Sequence, residues 1–441
     1  MQRRFWITTV GCPKNDVDSQ KLAGRLTVGG YLLADSPGQA DLVVVNTCAF
    51  IEAAREESVE TILELDAARR DGSRLVVTGC LAERFGDELA KALPEVGLVA
   101  GFGVPVELTT SRRVVKAERA GAGATAGGSS FDLLELARPP ARAPWAYLKV
   151  AEGCDRRCGF CAIPSFRGRQ RSRSLGSILG EIDSLQVREI VLVAQDLASF
   201  GRDRDVPRAA HTGEPGIVEL VREASKRVDR VRLLYLYPSS LTDGLIDAVL
   251  GTNLPYFDLS LQHASGRLLR QMRRFGNRER FMERIERIRS LEPASVLRSS
   301  FILGYPGETE EDHDELLRFL SEAQLDWAGF FTFSPEAGTH AEGIDEQVAP
   351  GLAIERLREC SELQEEITSR RRSDLVGSTC EVLVDTPGTA RSFREAPEID
   401  GIIRVPPALA PGWVGDVLIT GAVGPDLDAE PPAVPVAELA P

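Results

Sequence analysis

The stretch "AYLKVAEGCDRRCGFC" (146–161) decides how the middle of this chain is read. It begins as a buried strand, breaks at a glycine, and then places Cys154, Cys158 and Cys161 in a C-x3-C-x2-C loop with no fourth cysteine. Soft thiolates at this spacing can each bind one iron of a four-iron, four-sulfur cluster, which leaves one iron without a protein ligand. A structural zinc site is the competing reading, but it needs four closed protein ligands, and the nearest histidine in sequence is His211. Unrelated surface cysteines are the third. An open iron suits S-adenosylmethionine, whose amino and carboxylate groups can chelate it, and the protein's part is then to position the cofactor and exclude side reactions.

Outward from that loop, strands and helices alternate. The runs 146–151, 189–194, 230–236, 256–261, 296–304 and 327–334 read as strands with helical stretches between most of them, which predicts an open, partial (β/α)6 barrel over residues 141–372. Functional loops belong at the carboxyl ends of such strands. Gln195 and Asp196 end the second strand, "LQHAS" with His263 ends a later one, and "ILGYPGET" carries Gly304 and Gly307. Phe160 is a candidate to lie along the adenine of S-adenosylmethionine, with core packing as the alternative. Gln195, Gly304 and Arg298 are further candidate contacts: Gln195 with a supporting structural role as the alternative, Gly304 and Gly307 as close backbone approach to the adenosyl group or as a tight turn, and Arg298 only if its register is favourable. His263 reads either as a substrate contact or as a hydrogen-bonded structural histidine. Arg167, Arg169, Arg171 and Arg173 follow the cysteine loop, and three roles are open for them: bracing a carboxylate, touching RNA, or salt-bridging across the barrel top.

Residues 1–116 read as a small parallel α/β domain. "RFWITTVGC" (4–12), "DLVVVNTC" (41–48) and "SRLVVTGC" (73–80) are apolar runs that each end in a cysteine, and 51–70 is a charged amphipathic helix. Strand carboxyl ends lie side by side in a parallel sheet, so Cys12, Cys48 and Cys80 can converge on one edge and hold a second cluster. Burial as small apolar residues is the alternative for each alone. Cys360 and Cys380 read as structural.

A segment rich in Ala and Gly, "AERAGAGATAGGSS" (117–130), marks a linker assigned to 117–140. From 373 to 441 short strands separated by Gly and Pro predict a small all-β barrel, ending in a loose acidic tail, "DLDAEPPAVPVAELAP".

Composition narrows the setting. The 441 residues carry a formal charge of -14, which weighs against a protein whose main task is to hold nucleic acid. Eight cysteines are too sparse for a disulfide scaffold, the N-terminus makes a poor secretory signal, and no window is apolar enough to span a membrane, so a reducing cytoplasm is expected.

With two three-cysteine sets and a terminal barrel, the sequence resembles the methylthiotransferase family of radical SAM enzymes. "GCPKNDVDSQ", "VNTCAFIEAAREES" and "YLKVAEGCDRRCGFCAIPSFRGRQRSR" carry the resemblance in the first two domains, and "REAPEIDGIIRV" makes the third look like a TRAM domain. Where family members have proline, Ser260 stands in "SLQHAS". The resemblance implies two [4Fe–4S] clusters, S-adenosylmethionine, an electron donor and a sulfur source. It also implies methylation of a cluster-associated sulfur by one S-adenosylmethionine and radical hydrogen abstraction by another.

"GCPKN", "CAIPSFRG" and "APEID" resemble the branch that modifies the β-carbon of an aspartate in ribosomal protein S12. From Cys380 onward, three arginines and no lysines stand against ten Asp and Glu, a surface better suited to a basic protein than to a polyanion. The branch acting on tRNA adenosine is the alternative, and an RNA-binding module with structural clusters is the alternative of another class. The terminal barrel is expected to recruit substrate, so that its removal would cost turnover on S12 more than S-adenosylmethionine cleavage.

Overall fold

Val43 and Val45 pack on one side of their strand and Leu42 and Val44 on the other, so the run at 42–47 is apolar throughout because both faces of its sheet are covered. The computed structural model describes residues 2–106, 114–115, 132–203 and 216–432. The first sheet contains β1 (Arg4–Thr9), β2 (Leu32–Leu33), β3 (Leu42–Thr47), β4 (Arg74–Gly79), β5 (Leu98–Ala100) and β6 (Val114–Val115). All are parallel, in the order β2-β1-β3-β4-β5-β6. Helices α1 (Pro13–Val28), α2 (Glu52–Ala68) and α3 (Cys80–Ala92) make the crossovers.

The central unit starts with β7 (Trp145–Lys149). A short antiparallel pair, β8 (Ala151–Glu152) and β9 (Arg171–Ser172), encloses the cysteine loop and α4 (Ile163–Arg167). Then follow α5 (Leu175–Leu185), β10 (Glu189–Val193), α6 (Gly216–Ala224), β11 (Arg230–Leu233), α7 (Asp243–Leu250) and β12 (Tyr256–Gln262). The unit ends with α8 (Gly266–Gln271), α9 (Arg278–Leu291), β13 (Val296–Leu303), α10 (Glu310–Ala323), β14 (Trp327–Thr332) and the long α11 (Pro350–Ser373). Strands β7, β10 and β11 form one parallel sheet, β12, β13 and β14 another, and a single parallel bridge between Leu236 and Leu259 joins them. The result is the expected open six-stranded barrel, with β7 and β14 as its free edges.

Residues 379–430 form a closed barrel from β15 (Thr379–Thr386), β16 (Thr389–Arg391), β17 (Ile403–Arg404), β18 (Val414–Val423) and β19 (Asp426–Glu430). Here the expected loose tail is corrected: its first five residues are β19. Leu427 and Ala429 point into the barrel core, and Asp426 and Asp428 pair with Arg404 outside. Two apolar residues at period two suffice for a strand when a neighbour neutralises the acids between them. Residues 433–441 and the Ala/Gly segment 117–130 lie outside the described residues. Within the expected linker, Arg138 is buried, pairs with Glu181 at 2.8 Å and donates to the Tyr147 carbonyl at 2.6 Å, so this part is tied to the central barrel.

The third domain also fills the amino-terminal end of the central barrel. Arg391 reaches Glu189 at 3.1 Å, and Glu189 also takes Arg232 at 2.8 Å. Asp400 accepts from the Tyr256 hydroxyl at 2.5 Å and from Arg298 at 3.3 Å, and Glu395 pairs with Arg372. Phe393, Ala396 and Ile399 join Tyr147, Val191, Tyr256 and Trp327 in one apolar cluster, to which Val17 of α1 contributes from the opposite side. At the carboxyl end, Asp18 of α1 pairs with Lys149 of β7 at 2.7 Å, while Arg55 and Arg84 both bond Glu336 beyond β14 at 2.6 Å. The first domain therefore grips both free edges of the open barrel.

Candidate active site

Cys12, Cys48 and Cys80 follow β1, β3 and β4, which are neighbours in the first sheet, and so they lie along one edge. Cys12 opens α1, its carbonyl accepting from the Asn15 amide at 2.8 Å, and Cys80 is the first residue of α3. Glycine is needed beside them. Gly11 has φ +107°, and a Cβ there would lie 2.7 Å from Cys48 Cβ; Gly79 has φ +92°, and a Cβ there would lie 2.5 Å from the Thr47 carbonyl. Asn15 ties the loops together by donating to the carbonyls of Val10 at 2.9 Å and Thr47 at 3.0 Å. Ser58 holds the backbone of Cys48 from both its amide and its carbonyl at 3.0 Å.

The three sulfurs feel one another's charge. Burial, with Cys80 and Cys12 nearby, pushes Cys48 up to about 11, and Cys80 is raised by burial against the opposing Arg167 charge. Burial would also raise Cys12, but Lys14, Arg167 and the Asn15 and Lys14 amides bring it below its ordinary value. Among the described residues no three His, Cys, Asp or Glu side chains are gathered as for a single metal ion. A cluster makes a different demand, because each thiolate binds its own iron and the sulfurs stand farther apart. A purely thiol donor set, with glycine keeping its corner clear, fits a cluster.

In the central barrel, Gly153 (φ +78°) turns the chain out of β8 toward Cys154, whose amide donates to the Gly168 carbonyl at 3.1 Å. Gly159 donates to the Met272 carbonyl at 2.7 Å, and a Cβ there would lie 2.7 Å from the Tyr305 hydroxyl. Burial pushes Cys154 up to about 11 and Cys161 up to about 12; iron binding removes the proton and supplies the compensating charge. Donors are aimed at the sulfurs: the Arg156 amide at Cys154 and the Arg274 guanidinium at Cys158, each at 3.4 Å.

The two cysteine sets meet through two connections. Arg167, at the end of α4, is wholly buried; it donates to Cys80 Sγ at 3.0 Å and to Asn15 Oδ1 at 2.7 Å, and pairs with Asp18 at 3.2 Å and Glu152 at 3.0 Å. Beyond β11, Tyr235 and Tyr237 form the second. The Lys14 ammonium lies 3.6 Å from the Tyr235 ring centre, while Arg156 and Arg274 stack on Tyr237 at 3.8 and 4.1 Å. Residues two apart thus touch the surroundings of both sets. Neither tyrosine was singled out from the sequence, since Tyr235 sits inside the apolar run 230–236 and Tyr237 directly after it. Lys14 and Asn15 lay in the quoted "GCPKN" and were passed over for the cysteine beside them.

The other candidates fare differently. Gln195 donates to Glu152 at 3.0 Å, and its Oε1 is buried with no partner among the described residues. Phe160 is half-buried against the main core. Arg298 is corrected: its place near the start of β13 commits it to Asp258 at 3.0 Å and to Asp400, so it is no carboxylate brace for S-adenosylmethionine. Gly304 adopts φ +74° in a tight turn, and the space of its missing side chain is taken by α11, with Ala353 Cβ at 2.5 Å from a Cβ built there. His263 is structural: it is fully buried, accepts from the Ser265 amide at 3.0 Å, and is held neutral by burial, its pKa lowered to about 3. Of the arginine run, Arg167 and Arg173 are buried in ion pairs, Arg171 pairs with Asp132, and Arg169 is exposed beside Asp155. Cys360 is buried in α11, and Cys380 lies in β15.

Residues 4–101 match the uncharacterized protein family UPF0004, residues 148–320 the radical SAM superfamily, and residues 376–431 the TRAM domain. Over 97% of its length the chain is 40% identical to the ribosomal protein uS12 methylthiotransferase RimO of Streptomyces coelicolor, covering 97% of that protein. It is also 40% identical to the protein of the same name from Saccharopolyspora erythraea, with 97% and 95% of the two chains covered. The radical SAM match brings S-adenosylmethionine and a [4Fe–4S] cluster with it. Since the likeness runs through all three domains and nearly the full length of each relative, the chain belongs to the radical SAM methylthiotransferases, the family of the uS12-modifying enzymes.

Proposed function

We propose that this chain adds a methylthio group to the β-carbon of an aspartate in ribosomal protein S12. Cys154, Cys158 and Cys161 would hold the radical SAM cluster, and Cys12, Cys48 and Cys80 a second [4Fe–4S] cluster. The observation that carries the reading is the bond from Arg167, at the end of the loop that starts with Cys154, to the sulfur of Cys80. Two cysteine sets so joined give a substrate entering between them access to both. When bound, S-adenosylmethionine and the clusters supply radical hydrogen abstraction and the sulfur to be methylated and delivered.

The chain's own residues hold that arrangement. Asp18 and Glu152 share Lys149 and Arg167, which locks α1 to the cysteine loop. The unpartnered Oε1 of Gln195 is a buried acceptor suited to the amino group of S-adenosylmethionine, and Phe160 offers a ring to its adenine. The name of the relatives and the acidic third domain both favour S12, with an electron donor and a sulfur source as further partners.

The test is anaerobic reconstitution with iron, sulfide, S-adenosylmethionine and reductant, offering S12 and unmodified tRNA in parallel, with both read by mass spectrometry. A methylthio gain on an S12 aspartate is expected. A gain on tRNA alone would overturn the substrate assignment and leave the enzyme class standing.

A further inference from the structure

Cations crowd the space between the two cysteine sets, and nearly all are matched by carboxylates. Lys149 and Arg167 are bound by Asp18 and Glu152, and Arg156 by Asp196. Arg274 donates from its two terminal nitrogens to Cys158 Sγ and the Ser260 carbonyl, its Nε being buried without a partner among the described residues. Lys14 is the exception. Its ammonium forms no salt bridge or hydrogen bond with any described residue, although it stands at the start of α1, two residues past Cys12.

What holds Lys14 is the Tyr235 ring, 3.6 Å away. That ring is fixed in turn: Tyr235 adopts φ +66°, and its amide donates to Asp258 Oδ2 at 2.9 Å. An aromatic face attracts the charge of an ammonium but accepts little from its N–H groups, of which lysine has three. The result is a located positive charge with its hydrogen bonds unspent, beside one cysteine set and held on a ring two residues along the chain from the tyrosine that carries the cations of the other.

We propose that Lys14 holds the side-chain carboxylate of the substrate aspartate. The inference rests on the S12 reading above and deepens it. In an aspartyl residue the reacting β-carbon is one bond from the carboxylate carbon, so a lysine that fixes the carboxylate also fixes the C–H bond to be broken. A nucleobase offers no carboxylate, so the same lysine contributes to choosing protein over RNA. Lys14 is a substrate-binding residue in this account, and it takes no part in bond making.

The experiment compares S12 with S12 in which the target aspartate is asparagine, using reconstituted wild-type enzyme, Lys14→Gln and Lys14→Arg. Turnover is normalised to the 5'-deoxyadenosine that each preparation forms without S12, and cluster content is followed by iron analysis. Wild-type enzyme is expected to favour aspartate. Lys14→Gln is expected to raise KM for aspartate S12 by about 30-fold or more and to bring the aspartate-to-asparagine ratio toward one, because a charge-assisted pair becomes a neutral contact. Lys14→Arg keeps the charge and is expected to recover much of the preference. A ratio that stays at the wild-type value in Lys14→Gln overturns the proposal, as does a variant whose only change is in iron content or in the reduction potential of a cluster. If wild-type enzyme modifies neither S12 nor its asparagine form, the S12 reading fails and this inference with it. Modification of S12 with an unchanged ratio defeats the inference alone.

Discussion

Arg167 shows how much one side chain can be asked to do. Its guanidinium touches a cysteine of the first domain, an asparagine of "GCPKN" and two carboxylates, one of them in each domain. A fixed positive charge and an N–H donor against a cluster ligand favour the reduced, more negative form of that cluster. Arg167→Gln is therefore expected to lower the midpoint potential of the cluster proposed on Cys12, Cys48 and Cys80 by on the order of 100 mV, with a much smaller shift at the other cluster. Redox titration followed by electron paramagnetic resonance checks this, and equal shifts in both clusters would contradict it. The arginine was visible in the sequence as one of an alternating run. Which of the four would be buried was not, because burial depends on where each meets a carboxylate inside: Arg167 meets Asp18 of the first domain and Arg173 meets Glu181 of the next helix, while Arg169 and Arg171 pair at the surface.

Among the elements, the turn between β13 and α10 stores a titratable group. Glu308 accepts from the Gly304 amide and from the Tyr305 amide at 3.2 Å, with Arg356 at 3.4 Å and His263 at 3.9 Å. Burial raises its pKa to about 7 despite the Arg356 charge and the two amides. Because the folded value lies above the unfolded 4.5, the folded chain holds the extra proton in this interval, and stability from this group falls as pH rises from about 4.5 through 7. Glu308→Gln removes that loss. The melting temperature of the variant relative to the wild type should climb across the interval, corresponding to about 3 kcal/mol at most, and then level off. His263, its pKa lowered by burial, contributes in the opposite sense, its share of stability being lost as pH falls.

Elements of this kind were legible where local pattern is strong. The six barrel strands and the three cysteine-ended strands announce themselves by apolar runs, whereas β19 is masked by its acids and the left-handed Tyr235 by the run around it.

At the scale of the molecule, the three domains are bound by buried charge as much as by apolar contact. The third domain is no detachable recruiter: Arg391, Glu395 and Asp400 balance Glu189, Arg372 and Arg298 inside the central unit. Removing residues 373–441 would take one partner each from Glu189, which keeps Arg232, and from Arg298, which keeps Asp258, and would take from Arg372 the Glu395 carboxylate that pairs with it; a buried charge left unpaired costs about 3–5 kcal/mol. The truncated chain is expected to be insoluble or to melt far below the full chain, losing S-adenosylmethionine cleavage and S12 turnover together; retained cleavage with turnover alone lost would contradict this. The sequence signalled the domain through "REAPEIDGIIRV", but no local pattern in that stretch says that it plugs a barrel whose strands begin more than two hundred residues earlier.

That plug has a bearing on how the protein is made. Domains fold in order as the chain leaves the ribosome, amino-terminal parts first. Both cysteine sets emerge before the segment that closes the barrel floor. Until then the lumen is open from beneath, with Glu189, Arg232 and Arg298 facing water rather than the partners that later bury them. Emergence of that segment is thereby the event that seals the chamber, and a chain interrupted before it leaves those charges without the partners it brings.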